Sequence, residues 1–290
     1  MTFFLRYMFY PLLLATTLGL FVSAQQFHWD LAAVFAWMAC ARIVLLLVVE
    51  YLHPAKPEWK MNWPSFKRDL KYMAVNGGVA GLLKLGFGWL ALDFSRLNTG
   101  IVANTSIAME FIGLLLVFEF FQYWYHRLSH EGSGPWGDML WKVHLPHHLP
   151  DKVYLLMHPV GHPLNFLISM AIIQLPLVVL GARPESIFLF NALMSLQGLV
   201  SHFNVDIKAG PLNYLLVGTE LHRYHHSANI QEAKNYGVLT PFWDLVFGTF
   251  VYRPGRLPAA LGVVEPNLYP ESNALGEVLM LPFKKSPSVQ

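Results

Sequence analysis

The chain has 290 residues, of which 54% are hydrophobic and only 13% charged, and its formal net charge is +2. Soluble domains carry about 25% charged residues, so the deficit points to a membrane protein, and a near-neutral balance gives no case for nucleic-acid binding. The single cysteine, Cys40, excludes an internal disulfide and any cysteine-based metal site, and no glycine-rich nucleotide loop, haem-attachment motif or long-period repeat is present.

A bilayer-spanning helix needs about 20 largely apolar residues. Six stretches meet this, at roughly 8–24, 31–51, 70–93, 107–125, 164–181 and 184–203. The expected fold class is therefore all-α: a multi-pass transmembrane helical bundle. In the first stretch Val22-Ser23-Ala24 resembles a signal-peptidase site, but the segment reads as an ordinary first span. Lys84 and several glycines interrupt the third. The fifth and sixth are joined by Gly181-Ala-Arg-Pro184 and read as a hairpin. Arg42 and Lys84 fall within spans, where snorkelling or contact with an interior carbonyl is expected. The connector from His53 to Pro64, rich in Pro, Trp and Lys, is expected at the headgroups.

Lys and Arg concentrate in alternate loops: Lys56, Lys60, Lys67, Arg68 and Lys71 after the second stretch, and Arg127, Lys142 and Lys152 after the fourth. The region after the sixth adds Lys208, Arg223, Lys234, Arg253, Arg256, Lys284 and Lys285, whereas the opposite loops carry only Arg96 and Arg183. The positive-inside rule then places both termini in the cytoplasm.

Eight of the thirteen histidines fall in three clusters: His126-x3-His130, His144-x2-His147-His148 and His222-x2-His225-His226. Residues at i, i+3 and i+4 of a helix share a face, and neutral imidazole is the commonest side-chain metal ligand. The topology brings all three clusters and His202 to the cytoplasmic side. Nine candidates are too many for one tetrahedral zinc and suit two five- or six-coordinate ions. Nitrogen ligation fits iron, zinc, copper or nickel, and spacing does not choose among them. Acids able to take the second N–H of a ligating ring are Glu119, Glu131, Glu220, Asp206 and Asp244. Of these Glu119 is best placed, two turns before His126. Pro146 lies inside the second cluster, and proline belongs in a first turn, so that cluster is expected to begin a helix. His28 and His53 lie outside every cluster and are expected at interfaces or loops.

These residues resemble the fatty acid hydroxylase / sterol desaturase superfamily of integral-membrane histidine-box enzymes. The resemblance runs through Tyr123-Trp-Tyr-His-Arg-Leu-Ser-His130, Leu140-Trp-Lys-Val-His-Leu-Pro-His-His148 and His222-Arg-Tyr-His-His226. It continues through Asn235-Tyr-Gly237 and Trp243-Asp-Leu-Val-Phe-Gly-Thr249. His202 in Ser-His-Phe-Asn matches the family's isolated histidine, and Met157-His-Pro159 makes His158 a candidate tenth ligand. Where family members often carry an acid after that step, this chain has Gly161 followed by His162, whose role the resemblance leaves open. The implied metal ligands are His126, His130, His144, His147, His148, His158, His202, His222, His225 and His226. Glu119, Asp244 and Asn235 are the candidate catalytic residues beside them.

The resemblance implies two iron ions, with zinc as a replacement in purified protein. It also implies O2 as co-substrate and a lipid from the bilayer as substrate. The chain has no flavin, haem or iron–sulfur motif, so a separate redox protein must supply electrons. Hydroxylation of a C–H bond leads, with desaturation as the alternative on the same site. A zinc-dependent membrane hydrolase using metal-activated water and a metal transporter are the readings of another class. Residues 1–106 are expected to hold N-terminal spans and connector, 107–250 the catalytic region and 251–290 a cytoplasmic tail, together one integrated domain. The tail is expected to cover the metal region and fray at its end. A bacterial inner membrane is favoured over the endoplasmic reticulum.

Overall fold

The structure, a computed structural model, describes residues 2–97 and 105–284, and of 84, 85 and 87–97 the backbone only. A π-helical turn at Phe4–Met8 leads into α1 (Phe9–Gln26), followed by α2 (Leu31–Leu52), α3 (Trp63–Leu97), α4 (Ile107–Glu131) and α5 (Gly134–His148). Then come α6 (Pro163–Val179), α7 (Pro184–Ser201), α8 (Thr219–His225), α9 (Phe242–Phe247) and α10 (Leu275–Leu279). Extended pairing among the described residues is limited to one isolated bridge, Ser227 with Leu261.

Three helices, Phe4–Gln26, Leu31–Leu52 and Ile107–Glu131, are long and apolar enough to cross a membrane. They coincide with the first, second and fourth expected spans. Helices α6 and α7, at 17 and 18 residues, fall short of the about 20 needed to cross a hydrocarbon core upright. The third expected span falls within α3, and the side chain of its Lys84, like that of Arg96, lies outside the described residues.

Local chemistry sets the helix ends. Asp30 accepts the Ala33 amide at 2.7 Å and Ser106 accepts that of Met109 at 3.2 Å, each satisfying an orphan donor of a first turn. Helices α6 and α7 open on Pro163 and Pro184, which need no N–H there. Gly181, at φ 62°, makes the left-handed turn between them.

Helix α4 is central. Glu110, Leu114, Phe118, Gln122 and His126 form a buried stripe at four-residue spacing, continued by half-buried His130. At one end Glu110 pairs with Arg183 and accepts its backbone amide at 2.7 Å, tying α4 to the start of α7. In the middle Leu114 and Phe118 pack with Ile173 of α6 and Phe190 of α7. The other end carries the histidines. Arg42, buried in α2, donates to the Ala192 carbonyl at 3.1 Å and to Thr17 at 2.8 Å, the interior contact expected of it.

Beyond α7, residues 202–284 form turns and short helices over the histidine end. Leu261, Val278 and Leu281 pack with Leu145 and Tyr154, and the Lys142 ammonium donates to the Lys284 carbonyl at 2.6 Å. The expected cover over the metal region is therefore present up to Lys284; its fraying end lies outside the described residues.

One expectation is corrected here. Pro146 sits near the C-terminal end of α5, not at the beginning of a helix. It removes one hydrogen bond, to the Lys142 carbonyl, with only two helical residues left to follow. Burial of Lys142, Val143, His144, Leu145 and Pro146 holds the turn regardless.

Candidate metal centre

The histidines meet where the ends of α4, α5, α7 and α8 converge. Helix α4 presents His126 and His130, one turn apart. Thr219 of α8 donates to the Val200 carbonyl at 2.7 Å, which seats α8 against the end of α7 and brings His222 to His202. Buried Arg223, between the histidines of the third cluster, donates to the Phe203 and Val205 carbonyls at 2.8 and 2.9 Å. It locks the strand-like segment after His202 beneath α8.

The result is two groups. His126, His130, His144, His148 and His225 have ligand atoms within 4.8 Å of one another, as do His147, His202, His222 and His226. The shared-face expectation is thus corrected: each H-x-x-H-H cluster divides. His144 and His148 serve the first group while His147 turns to the second. His222 and His226 serve the second while His225 turns to the first. At i and i+4 two rings reach one site, and the residue at i+3 reaches the adjacent one. The His148 and His226 rings, 4.5 Å apart at their centroids, join the groups.

Hydrogen bonds fix which nitrogen faces inward. The Nδ1 atoms of His126, His147 and His225 lie 2.8, 2.9 and 2.9 Å from the carbonyls of Tyr236, Val160 and Lys234. A carbonyl only accepts, so each Nδ1 carries the proton and each Nε2 a bare lone pair. His144 Nδ1 likewise donates to Asn165 Oδ1 at 3.1 Å. Yet His126 Nε2 and His144 Nε2 are 3.0 Å apart, two lone pairs facing each other. His148–His144, His225–His148, His202–His147, His222–His202 and His226–His222 repeat Nε2 separations of 3.0–3.1 Å. Between His126 and His144, whose Nδ1 atoms both carry the proton, that approach is repulsive unless a cation lies between the nitrogens. The donor set therefore fits a metal ion in each group, and imidazole-only ligation suits iron, zinc, copper or nickel.

Electrostatics agree. Burial, reinforced by neighbouring imidazoles, holds His144, His148, His222, His225 and His226 well below the ordinary histidine range. They stay neutral, the form that ligates.

Other predicted residues lie elsewhere. His158 lies beside the second group, its Nδ1 3.3 Å from that of His202, but belongs to neither group. Gly198 makes room for it: a Cβ there would stand 2.9 Å from His158 Cε1. His162 caps α6, accepting the Leu164 amide at 3.0 Å. His28 is exposed and His53 half-buried, both away from the centre.

Among the described residues, the hydrogen bonds of Glu119, Asp244 and Asn235 reach no histidine ring. The Glu119 carboxylate, expected to take a ring N–H, instead receives the backbone amides of Val238, Leu239 and Thr240. Asp244 accepts from the Tyr236 and Gly237 amides, both at 2.8 Å, and from Thr249 at 2.6 Å. Burial pushes its carboxyl up to about 6. Asn235, at φ 60°, bridges the Leu221 and Val251 carbonyls at 3.0 and 2.9 Å. All three grip segment 234–240, whose Lys234 and Tyr236 carbonyls orient His225 and His126. The remaining acids have other partners: Glu131 holds Arg127, Lys234 and Tyr236, Asp206 holds Arg6 and Lys208, and Glu220 takes the Ala209 amide. Backbone carbonyls and one amide do the orienting that sequence reasoning assigned to acids. Tyr236 lies in a motif already noted, whereas Asn165 carried no signal.

A cavity of about 240 Å³ opens on the centre between α3, α4, α6 and α7. His126, His144, His147, His202 and His222 face it at one end, and Phe118, Met170, Ile173 and Met194 form apolar wall.

Comparison with known proteins places these features in context. The family model described as fatty acid hydroxylase matches residues 111–249. The chain is 34% identical over 231 residues to ornithine lipid hydroxylase OlsE of Rhizobium tropici, covering 76% of this chain and 68% of that protein. It is 32% identical over 130 residues to alkylglycerol monooxygenase of Danio rerio, covering 44% of this chain but only 27% of that protein. It is 26% identical over 204 residues to very-long-chain aldehyde decarbonylase GL1-11 of Oryza sativa subsp. indica, covering 67% and 73%. No solved structure matches.

Proposed function

The chain belongs to the fatty acid hydroxylase family, and on that premise we propose that it is a membrane di-iron oxygenase that hydroxylates a C–H bond of a lipid. The carrying observation is the pair of histidine groups whose Nε2 atoms converge at 3.0–3.1 Å, with those of His126, His144, His147 and His225 unprotonated. His126, His130, His144, His148 and His225 would hold one ion, and His147, His202, His222 and His226 the other. Iron bound there supplies O2-dependent oxidation: one oxygen atom enters the substrate, the other leaves as water, and two electrons and two protons are consumed. A separate redox protein delivers the electrons.

The protein's own part is to hold and exclude. Carbonyls of Tyr236, Val160 and Lys234 keep three rings oriented, and Glu119, Asp244 and Asn235 act as positioning residues by fixing segment 234–240. Apolar Phe118, Met170 and Ile173 keep water from the cavity and take the lipid chain. The histidine end is proposed to face the cytoplasm, with Glu110 and Arg183 at the opposite end of the bundle. About six membrane segments, with α6 and α7 as a short hairpin, and one integrated domain complete the proposal. A bacterial inner membrane suits it.

The test is turnover under 18O2 with iron-loaded protein, a reducing system and membrane lipids. One labelled oxygen in a lipid product supports the reading. A lipid alkene without label would assign desaturation instead, and no O2-dependent product would sink the oxygenase.

A further inference from the structure

Segment 234–249 runs down α4 and back, and its contacts give each step a depth. Lys234 and Tyr236 meet Glu131, the last residue of α4. The Val238, Leu239 and Thr240 amides reach Glu119, about three turns further along that helix. Trp243, in α9, donates its indole N–H to the Leu116 carbonyl at 3.2 Å. The chain then turns at Gly248, φ 72°, and climbs: the Thr249 hydroxyl is 3.0 Å from that of Tyr123, and Arg253 pairs with Glu232. From Glu131 to Leu116 the descent along α4 is about 22 Å, at 1.5 Å per residue.

That depth lies within the bilayer once α4 crosses it. Helix α4 has 25 residues, and a hydrocarbon core of about 30 Å takes about 20 of them. Wherever the core is set along the helix, roughly residues 112–126 are inside it, and with them the levels of Glu119 and Leu116.

Non-helical backbone is tolerated at such depth only when the protein satisfies its polar groups. From Asn235 to Thr240 every backbone N–H has an internal acceptor. The Thr249 carbonyl serves Asn235, the Asp244 carboxylate serves Tyr236 and Gly237, and Glu119 serves the next three. Pro241 has no N–H to satisfy. Between Lys234 and Arg253 the only charged residue is Asp244, and it is buried. The outer face is apolar: Phe242, Leu245, Val246 and Phe247 are exposed, and they continue the exposed surface of α4 at Val117 and Phe121. Phe120 packs edge-on against Trp243 at 5.0 Å and joins the two surfaces. A loop in water needs neither feature.

We propose that residues 238–249 form a re-entrant segment that enters the bilayer from the histidine end, with the outer face of α9 packed on lipid acyl chains. The proposal goes beyond the oxygenase reading and rests only on α4 crossing the membrane. It gives Glu119 and Asp244 a reason to be buried: each supplies the acceptors that water would supply outside hydrocarbon.

Spin labels read the depth, on full-length protein in nanodiscs with Cys40→Ser as background. Val246→Cys and, as a second α9 position, Leu245→Cys carry the label. Phe121→Cys on α4 and Ile230→Cys on the cover are the references, and all four side chains are exposed, so labelling leaves the core intact. Collisions with a water-soluble nickel chelate should be lost at Val246 and Leu245, as at Phe121, and collisions with dissolved O2 should rise; Ile230 should show the reverse. Nickel collisions at Val246 or Leu245 equal to those at Ile230, with Phe121 in lipid, would overturn the proposal. Water access at Phe121 as well would sink the spanning of α4 and the proposal with it. Lipid-exposed Val246 in a protein that yields no O2-dependent product would instead remove the oxygenase reading and leave the re-entrant segment standing.

Discussion

Replacing Glu119 by Ala removes the acceptor for three amides, the buried ones of Leu239 and Thr240 and the half-buried one of Val238. Glu119 is 0% exposed and Leu239 likewise, so water does not take its place. Leaving a buried donor unpaired costs about 1–3 kcal/mol, so three imply a loss of about 3–5 kcal/mol after partial relaxation. The effect should concentrate on one metal. Segment 234–240 carries the carbonyls that orient His126 and His225, both in the five-histidine group. Loss of such an orienting contact typically weakens a metal site about 10–100-fold. Chelator competition on purified Glu119→Ala protein should then show one ion retained at the original affinity and one weakened. Glu119→Gln keeps one acceptor oxygen and should fall between. Unmutated affinity for both ions in a folded Glu119→Ala protein would refute the idea that this carboxylate acts through the segment.

His144→Ala and His147→Ala should each weaken a different ion, in the five- and four-histidine groups respectively. Titration that finds both variants losing the same ion would contradict the division of the second cluster. Asn235→Asp replaces the amide that donates to the Leu221 and Val251 carbonyls with an oxygen facing them, so a loss of about 2–4 kcal/mol is expected in thermal or denaturant unfolding. Acid should strip the metal. His144, His148, His222, His225 and His226 titrate in the folded chain well below the unfolded value of about 6.5, so above that pH neither state gains protons. As pH falls below it the unfolded chain binds protons the folded chain refuses. Metal retention and unfolding temperature should therefore hold from pH 8 to 7 and fall together toward pH 5; a flat profile across that range would count against neutral, inward-facing rings.

Much of the centre was legible because its ligands are local in sequence. His126 and His130 on one face of α4, and the two H-x-x-H-H clusters, announce themselves by helical spacing, and nine of the ten histidines singled out do gather. What spacing could not reveal is the crossing, in which His147 and His225 leave their own clusters' sites. That depends on how α5 and α8 are seated, through long-range contacts such as Thr219 with Val200 and Arg223 with Phe203. Glu119 was placed near the metals because a buried carboxylate two turns from a ligand can reach it; the returning loop at Val238–Thr240 claims it instead. The spans followed hydropathy in α1, α2 and α4, while α6 and α7 each end two residues before their apolar runs do, α6 where Gly181 turns the chain and α7 before His202. The expectation that the Pro146 cluster begins a helix failed because packing around α5 outweighs one missing hydrogen bond.

The most direct test of the central claim is the metal content of the purified full-length protein after iron-replete expression, measured by elemental analysis alongside protein concentration. Two irons per chain, or two zincs after displacement during overproduction, with one lost in His147→Ala, is the result these two histidine groups predict. One ion per chain, or none, would contradict a dinuclear centre.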